Sequence, residues 1–177
     1  MSNAWKMLIG VVVGLSGLAW ALVRSAPPRV EVGTLAPDFN ATNLATNKKV
    51  TLGAEYRGTV TLVNIWATYC IPCREEMPAM DSLYQSLRGR GFRIAAVSVD
   101  RAPPEVVRKF ARDFNISFDV LYDPTGDIEQ RYQTTGVPES FLVDRNGRIV
   151  RIAQMAAPWN SPENHRIIEH LLAAPAS

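Results

Sequence analysis

The only two cysteines of the chain stand as Cys70-Ile71-Pro72-Cys73 inside "IWATYCIPCREEMP", residues 65–78. Two thiols at this spacing can serve as a staple, a metal clip or a redox centre. A bridge across two residues removes little entropy from the unfolded chain, and 177 residues suffice for a core that stands without covalent help. A zinc or copper clip needs more ligands than two thiols. The only histidines, His165 and His170, lie at the far end of the chain, so no metal site is expected. Peroxide reduction would call for a threonine three residues before the attacking cysteine, where Ala67 stands. Thiol-disulfide exchange is therefore the first reading. The alternative is a redox-inert binding module that holds a metal or a partner through its cysteines.

The first reading depends on what surrounds the thiols. The pair follows an apolar run, 59–67, and opens a helical pattern, 71–88. A helix N-terminus offers unpaired backbone N–H groups and the positive end of a dipole. Both favour a thiolate, and cysteine's ordinary pKa of about 8.5 falls at such positions. Cys70, nearer the helix tip, is the expected nucleophile. Cys73 is the thiol that resolves the mixed disulfide. Glu76, three residues on, is either a proton carrier for Cys73 or a solvated charge helping the helix dipole. Glu75 suits the solvated role.

The positioning elements can be read from periodicity. "TVTLVNIWA" (59–67) and "FRIAAVSVD" (92–100) are nearly continuous apolar runs, as in strands covered on both faces. Between them Met77, Met80, Leu83, Tyr84 and Leu87 mark one helical face. Gly89 and Gly91 end the helix, and Pro78 inside it is expected to kink it. A second helix is predicted over 103–115, a strand over 117–123 and a short helix over 126–133. A hairpin follows, 139–144 and 148–155, turned by Asn146-Gly147, and Ser161 caps a last helix with Pro162 at its first position. This order predicts an α/β sheet, parallel at its centre, with an antiparallel hairpin at one edge.

The composition, 47% hydrophobic and 20% charged, is globular. Lys6 and Arg24 account for the whole net charge of +2, since residues 25–177 hold 17 basic and 17 acidic side chains. Such balance carries no footprint for nucleic acid. Residues 7–23 contain 17 residues without a charge, at the short end of a membrane-spanning helix and long for a signal peptide. Ala19-Trp20-Ala21 has the form of a cleavage site, yet the apolar length favours an uncleaved anchor. The expected organisation is an anchor or signal over 1–24, a proline-containing linker over 25–34 and one domain over 35–177. Lys6 against Arg24 and Arg29 leaves the orientation undecided by charge.

"VNIWATYCIPCREEMP" and "GVPESFLVDRNGRIV" together resemble the thioredoxin-like TlpA/ResA/CcmG group, membrane-tethered bacterial thiol-disulfide oxidoreductases that work outside the cytoplasm. The likeness covers roughly residues 34–174. It implies a thioredoxin-like fold with an added N-terminal β-hairpin, which 43–52 could supply, and a central insertion, which 101–124 could supply. Cys70 and Cys73 match the redox pair, Glu76 an acidic residue near the active site, and Pro138 a cis-proline beside the disulfide. Trp66 matches an aromatic four residues before the motif, although a plain core position suits it equally. Trp66, Tyr69, Pro72, Val137 and Pro138 are the expected substrate groove. Cytoplasmic thioredoxin has a buried aspartate six residues before its first cysteine; Asn64 stands there in this chain, so proton transfer would fall to Glu76 or water. The resemblance further implies no cofactor beyond the Cys70–Cys73 disulfide. It points to apocytochrome c or copper-site assembly proteins as substrates, a membrane electron donor of the DsbD/CcdA kind, and a single-pass anchor in the bacterial inner membrane with the catalytic domain in the periplasm or otherwise outside the cytoplasm.

Overall fold

The computed structural model describes residues 29–175. The apolar segment 7–23 lies outside them, and among the described residues no helix is long and apolar enough to cross a membrane. Seven strands form one sheet: β1 (Ala41–Asn43), β2 (Lys49–Val50), β3 (Val60–Trp66), β4 (Phe92–Ser98), β5 (Asp119–Tyr122), β6 (Glu139–Val143) and β7 (Ile149–Gln154). Their order across the sheet is β2-β1-β5-β4-β3-β6-β7. The pairs β3–β4 and β4–β5 are parallel, and all the other pairs are antiparallel.

Every residue of β3 is buried, which accounts for its unbroken apolar reading. Each fully buried Val, Leu or Ile there contributes about 1.5–3 kcal/mol of transfer free energy. Helix α1 is the short turn Leu52–Glu55, α2 spans Ile71–Leu87, α3 Pro104–Asp113, α4 Asp127–Arg131 and α5 Pro162–Ala173. Helix α2 runs unbroken through Pro78, which lies on its exposed side, and gives way to a 3₁₀ turn over Arg88–Arg90. Gly91 then reverses the chain at φ 95°, in the left-handed region that glycine enters without strain.

Side-chain contacts assign the helices to the two faces of the sheet. Asn64 of β3 reaches Glu76 of α2, and Trp66, on the same strand face, packs against Phe110 of α3 with ring centroids 4.9 Å apart. Helices α2 and α3 therefore share a face, as successive right-handed crossovers require. Tyr132, just past α4, packs on Phe141 at 4.8 Å. Phe141 neighbours Ser140, which bonds to Asn64, and alternation puts it on the opposite face. Residues 33–34, expected in the linker, belong to the domain: the Gly33 N–H donates to Ile149 O at 2.8 Å, and the Ile149 N–H to Thr34 O at 2.9 Å. They occupy hydrogen-bonding groups along the outer edge of β7, which would otherwise be open to pairing with another chain.

Candidate active site

Strand β3 ends at Trp66, and the chain turns over Ala67–Cys70 through a Cys70 N–H to Ala67 O bond of 3.2 Å. That turn places Cys70 at the N-cap of α2, where its Sγ accepts the Cys73 N–H at 3.2 Å. A cap normally uses a hydroxyl or carboxylate oxygen for this role. Here the sulfur takes it, and the donor that satisfies the helix end also favours a thiolate at Cys70. The two cysteines are joined in a disulfide. Cys70 keeps 7% of its surface exposed and Cys73 none, so an incoming partner meets Cys70 first.

Beside the disulfide the Val137-Pro138 peptide is cis, and the Val137 carbonyl oxygen stands 3.6 Å from Cys70 Sγ. Tyr69 and Ile71, on either side of Cys70, are 71% and 67% exposed. Met155, whose N–H donates to Pro138 O at 2.9 Å, is also largely exposed. Val137 is partly buried against the core and Pro72 is half-exposed. Trp66 differs from the groove expectation, because it is fully buried. Its ring supports the strand end from within, against Phe110, and presents nothing to a partner.

Glu76 is buried, with 4% of its surface exposed, which removes the solvated reading. Glu75 is the exposed one. Glu76 lies three residues after Cys73, and both are buried, so they share a helix face about 5–6 Å apart at Cβ. Burial pushes the Glu76 carboxyl up from 4.5 to about 6, against hydrogen bonds that pull it down. Those bonds come from the Ala157 N–H to Oε2 at 3.1 Å and from Asn64 Nδ2 to Oε1 at 2.9 Å. The buried Trp159 indole N–H adds a weaker pull without ordinary hydrogen-bond geometry. A carboxyl with a pKa near 6 exchanges its proton readily near neutral pH.

Several contributors were not read from the sequence. Arg74 lies over the stacked rings of Phe110 and Phe114, 6.0 and 5.7 Å from their centroids, and couples the cysteine helix to α3. Asp100 is buried behind the turn that carries Cys70; its position just past the carboxyl end of a central parallel strand is the signal that could have flagged it. Glu139, directly after Pro138, is 5% exposed, with one oxygen bonded by Gln154 Nε2 at 3.3 Å and the other bare. Among the described residues no group of three or more His, Cys, Asp or Glu is arranged to hold a metal ion.

A family model described as the AhpC/TSA family matches residues 32–152. The chain belongs to that family. The chain is 37% identical over 136 residues to the thiol-disulfide oxidoreductase ResA of Geobacillus kaustophilus, a match covering 77% of this chain and 76% of the relative. With ResA of Bacillus cereus the identity is 33% over 127 residues, 72% of each. A solved structure assigned to a thiol:disulfide interchange protein DsbE of Chlorobium tepidum superposes with a TM-score of 0.73 at 30% identity, covering 81% of this chain and 99% of that one. The thioredoxin domain of a Bacteroides vulgatus thiol-disulfide oxidoreductase gives a TM-score of 0.70 at 26% identity, covering 80% and 98%. The fold is thioredoxin-like, and the chain is a thiol-disulfide oxidoreductase of the TlpA/ResA/CcmG kind.

Proposed function

We propose that this member works as a reductase on disulfides of specific protein partners outside the cytoplasm, tethered by residues 7–23. The observation that carries the direction is the buried Glu76, one helical turn below Cys73. A buried negative charge there opposes a thiolate on Cys73, and a dithiol whose ionised form is less stabilised is the better electron donor.

In the forward reaction the Cys70 thiolate attacks one sulfur of the partner disulfide. A mixed disulfide forms, and the partner's other sulfur leaves as a thiolate that takes a proton from solvent. Cys73 then passes its proton to the Glu76 carboxylate or to water and attacks Cys70 Sγ. The Cys70–Cys73 disulfide closes, the second partner thiolate departs, and two electrons have moved from the dithiol to the partner. The electrons travel on the cysteines, with no separate cofactor. Recharging needs a membrane dithiol donor of the DsbD/CcdA kind.

The exposed Tyr69, Ile71 and Met155 around Cys70 suit a polypeptide substrate, whose side chains can cover apolar surface that a small thiol would leave wet. The haem-binding cysteines of apocytochrome c and the thiols of copper-site assembly proteins are the substrates that fit an extracytoplasmic reductase. The Cys73→Ser variant, expressed in its native membrane, should accumulate a mixed disulfide between Cys70 and such a partner. A reduction potential as oxidising as that of a disulfide-forming catalyst, or failure to reduce any oxidised apocytochrome or copper-site protein, would overturn the proposal.

A further inference from the structure

Asp100 is a carboxylate with 2% of its surface exposed, and every hydrogen bond it accepts converges on the strand ends beneath the cysteine turn. Its Oδ2 accepts the Thr68 N–H at 2.8 Å and the Ser98 hydroxyl at 2.7 Å. Its Oδ1 accepts the Thr68 hydroxyl at 2.5 Å. Thr68 is the second residue of the Ala67–Cys70 turn, the first and last of which are joined by the Cys70 N–H to Ala67 O bond. Ser98 is the partner of Trp66 in the β3–β4 register, and the Val99 N–H continues that ladder to Trp66 O at 2.9 Å.

This arrangement goes beyond what packing needs. A turn residue at this position can leave its N–H and hydroxyl to water, at no cost to the core. A buried carboxylate, in contrast, is expensive unless its lone pairs are filled. The chain buries one at the single point that fixes both free donors of Thr68, two residues before the attacking sulfur. Cys70 meets Cys73 N–H and Val137 O at 3.2 and 3.6 Å, and its reactivity depends on keeping that place when the disulfide opens.

We propose that Asp100 is a positioning residue for the attacking thiol, acting through Thr68 to hold the Ala67–Cys70 turn at the helix N-terminus in the reduced enzyme. The inference rests on Cys70 being the nucleophile, but not on the direction of electron flow or on the identity of the partner. Asp100 makes its hydrogen bonds to Thr68 and Ser98 and to neither cysteine.

The test is the second-order rate at which the reduced full-length protein attacks a disulfide-bonded peptide through Cys70, measured together with alkylation of Cys70 by iodoacetamide. Asp100→Ala and Thr68→Val should each slow both reactions about tenfold, the scale expected when a reacting group loses a fixed position. The double variant should be no slower than Asp100→Ala alone, since Thr68→Val removes only the hydroxyl bond to Asp100 and Asp100→Ala removes that bond together with the one from the Thr68 N–H. Thr68→Ser, which keeps both donors, should restore the rate. Rates equal to wild type in variants that retain the native near-ultraviolet circular dichroism, or losses that multiply in the double variant, would overturn the proposal. Should Asp100→Ala not fold, Thr68→Val and Thr68→Ser decide it alone. If Cys70→Ser still attacked the peptide, the nucleophile assignment would fail instead, independently of Asp100.

Discussion

Asp119 and Glu76 are both carboxylates folded into this domain, and their surroundings differ. Asp119, near the β1–β2 end of the sheet, meets the Arg93 guanidinium at 2.5 Å, the Tyr56 hydroxyl at 3.1 Å and the Asn43 amide at 3.4 Å. Arg93 in turn lies over the Tyr56 ring at 5.1 Å. Charge is cancelled there, and the network ties α1, β1 and β4 to β5. Glu76, at the cysteine end, has two neutral donors from Asn64 and Ala157 and a raised pKa. Its helper Asn64 keeps a bare Oδ1, and Glu139 across the same strand ends keeps a bare Oε2. Asp119 is closed off by an opposite charge, whereas Glu76 is held by neutral donors alone and keeps a raised pKa, as a group that must take up and release a proton requires.

That contrast can be broken from either end. The largest effect is expected at the cysteines: Cys70→Ser should lose partner reduction by on the order of a thousandfold or more, as removal of a nucleophile does, with the fold intact. Residual turnover near wild type would mean that Cys70 does not attack. Asp119→Ala should do the reverse. It leaves the Tyr56 hydroxyl without its partner and takes from Arg93 the nearer of its two carboxylates, so denaturant unfolding should show a loss of about 2 kcal/mol, with kcat/KM per folded molecule unchanged. A fall in kcat/KM of similar size would abolish the distinction between the two ends. The smallest expected effect is at the rim: Met155→Ser should raise KM for a protein substrate about threefold, part of the value of one buried apolar side chain, and leave reduction of a small disulfide alone. Equal effects on both substrates would remove Met155 from the docking surface.

Much of the fold was legible because it rests on local signals. The continuous apolar runs became β3 and β4, the three-and-four spacing became α2, and Asn146-Gly147 turned the hairpin of β6 and β7. The cysteine pair was legible for the same reason: its spacing, the preceding strand and the helix it caps are contiguous. The site's depth was not, because its partners come from far along the chain. Glu76 is held by Ala157 and Asn64, and its place three residues past a cysteine suits a proton carrier and a solvated charge equally until those segments fold over it. Asp100 only closed the run 92–100, with no role read for it, whereas β3 and β4 pair in parallel and bring it under Thr68. Trp66 matched a motif position, yet the packing of α3 decided that it belongs to the core.

The most direct test of the account is the rate at which Cys73 resolves a mixed disulfide on Cys70, followed as thionitrobenzoate release across pH in wild type and Glu76→Gln. The carboxylate is the proton-accepting form, and its pKa is about 6. The wild-type rate should therefore rise as pH passes upward through that value. In Glu76→Gln that rise should vanish, and the rate near neutral pH should fall by about a hundredfold, the usual worth of a positioned base. A variant that keeps both the inflection and the rate would show that Glu76 takes no part in moving the proton from Cys73.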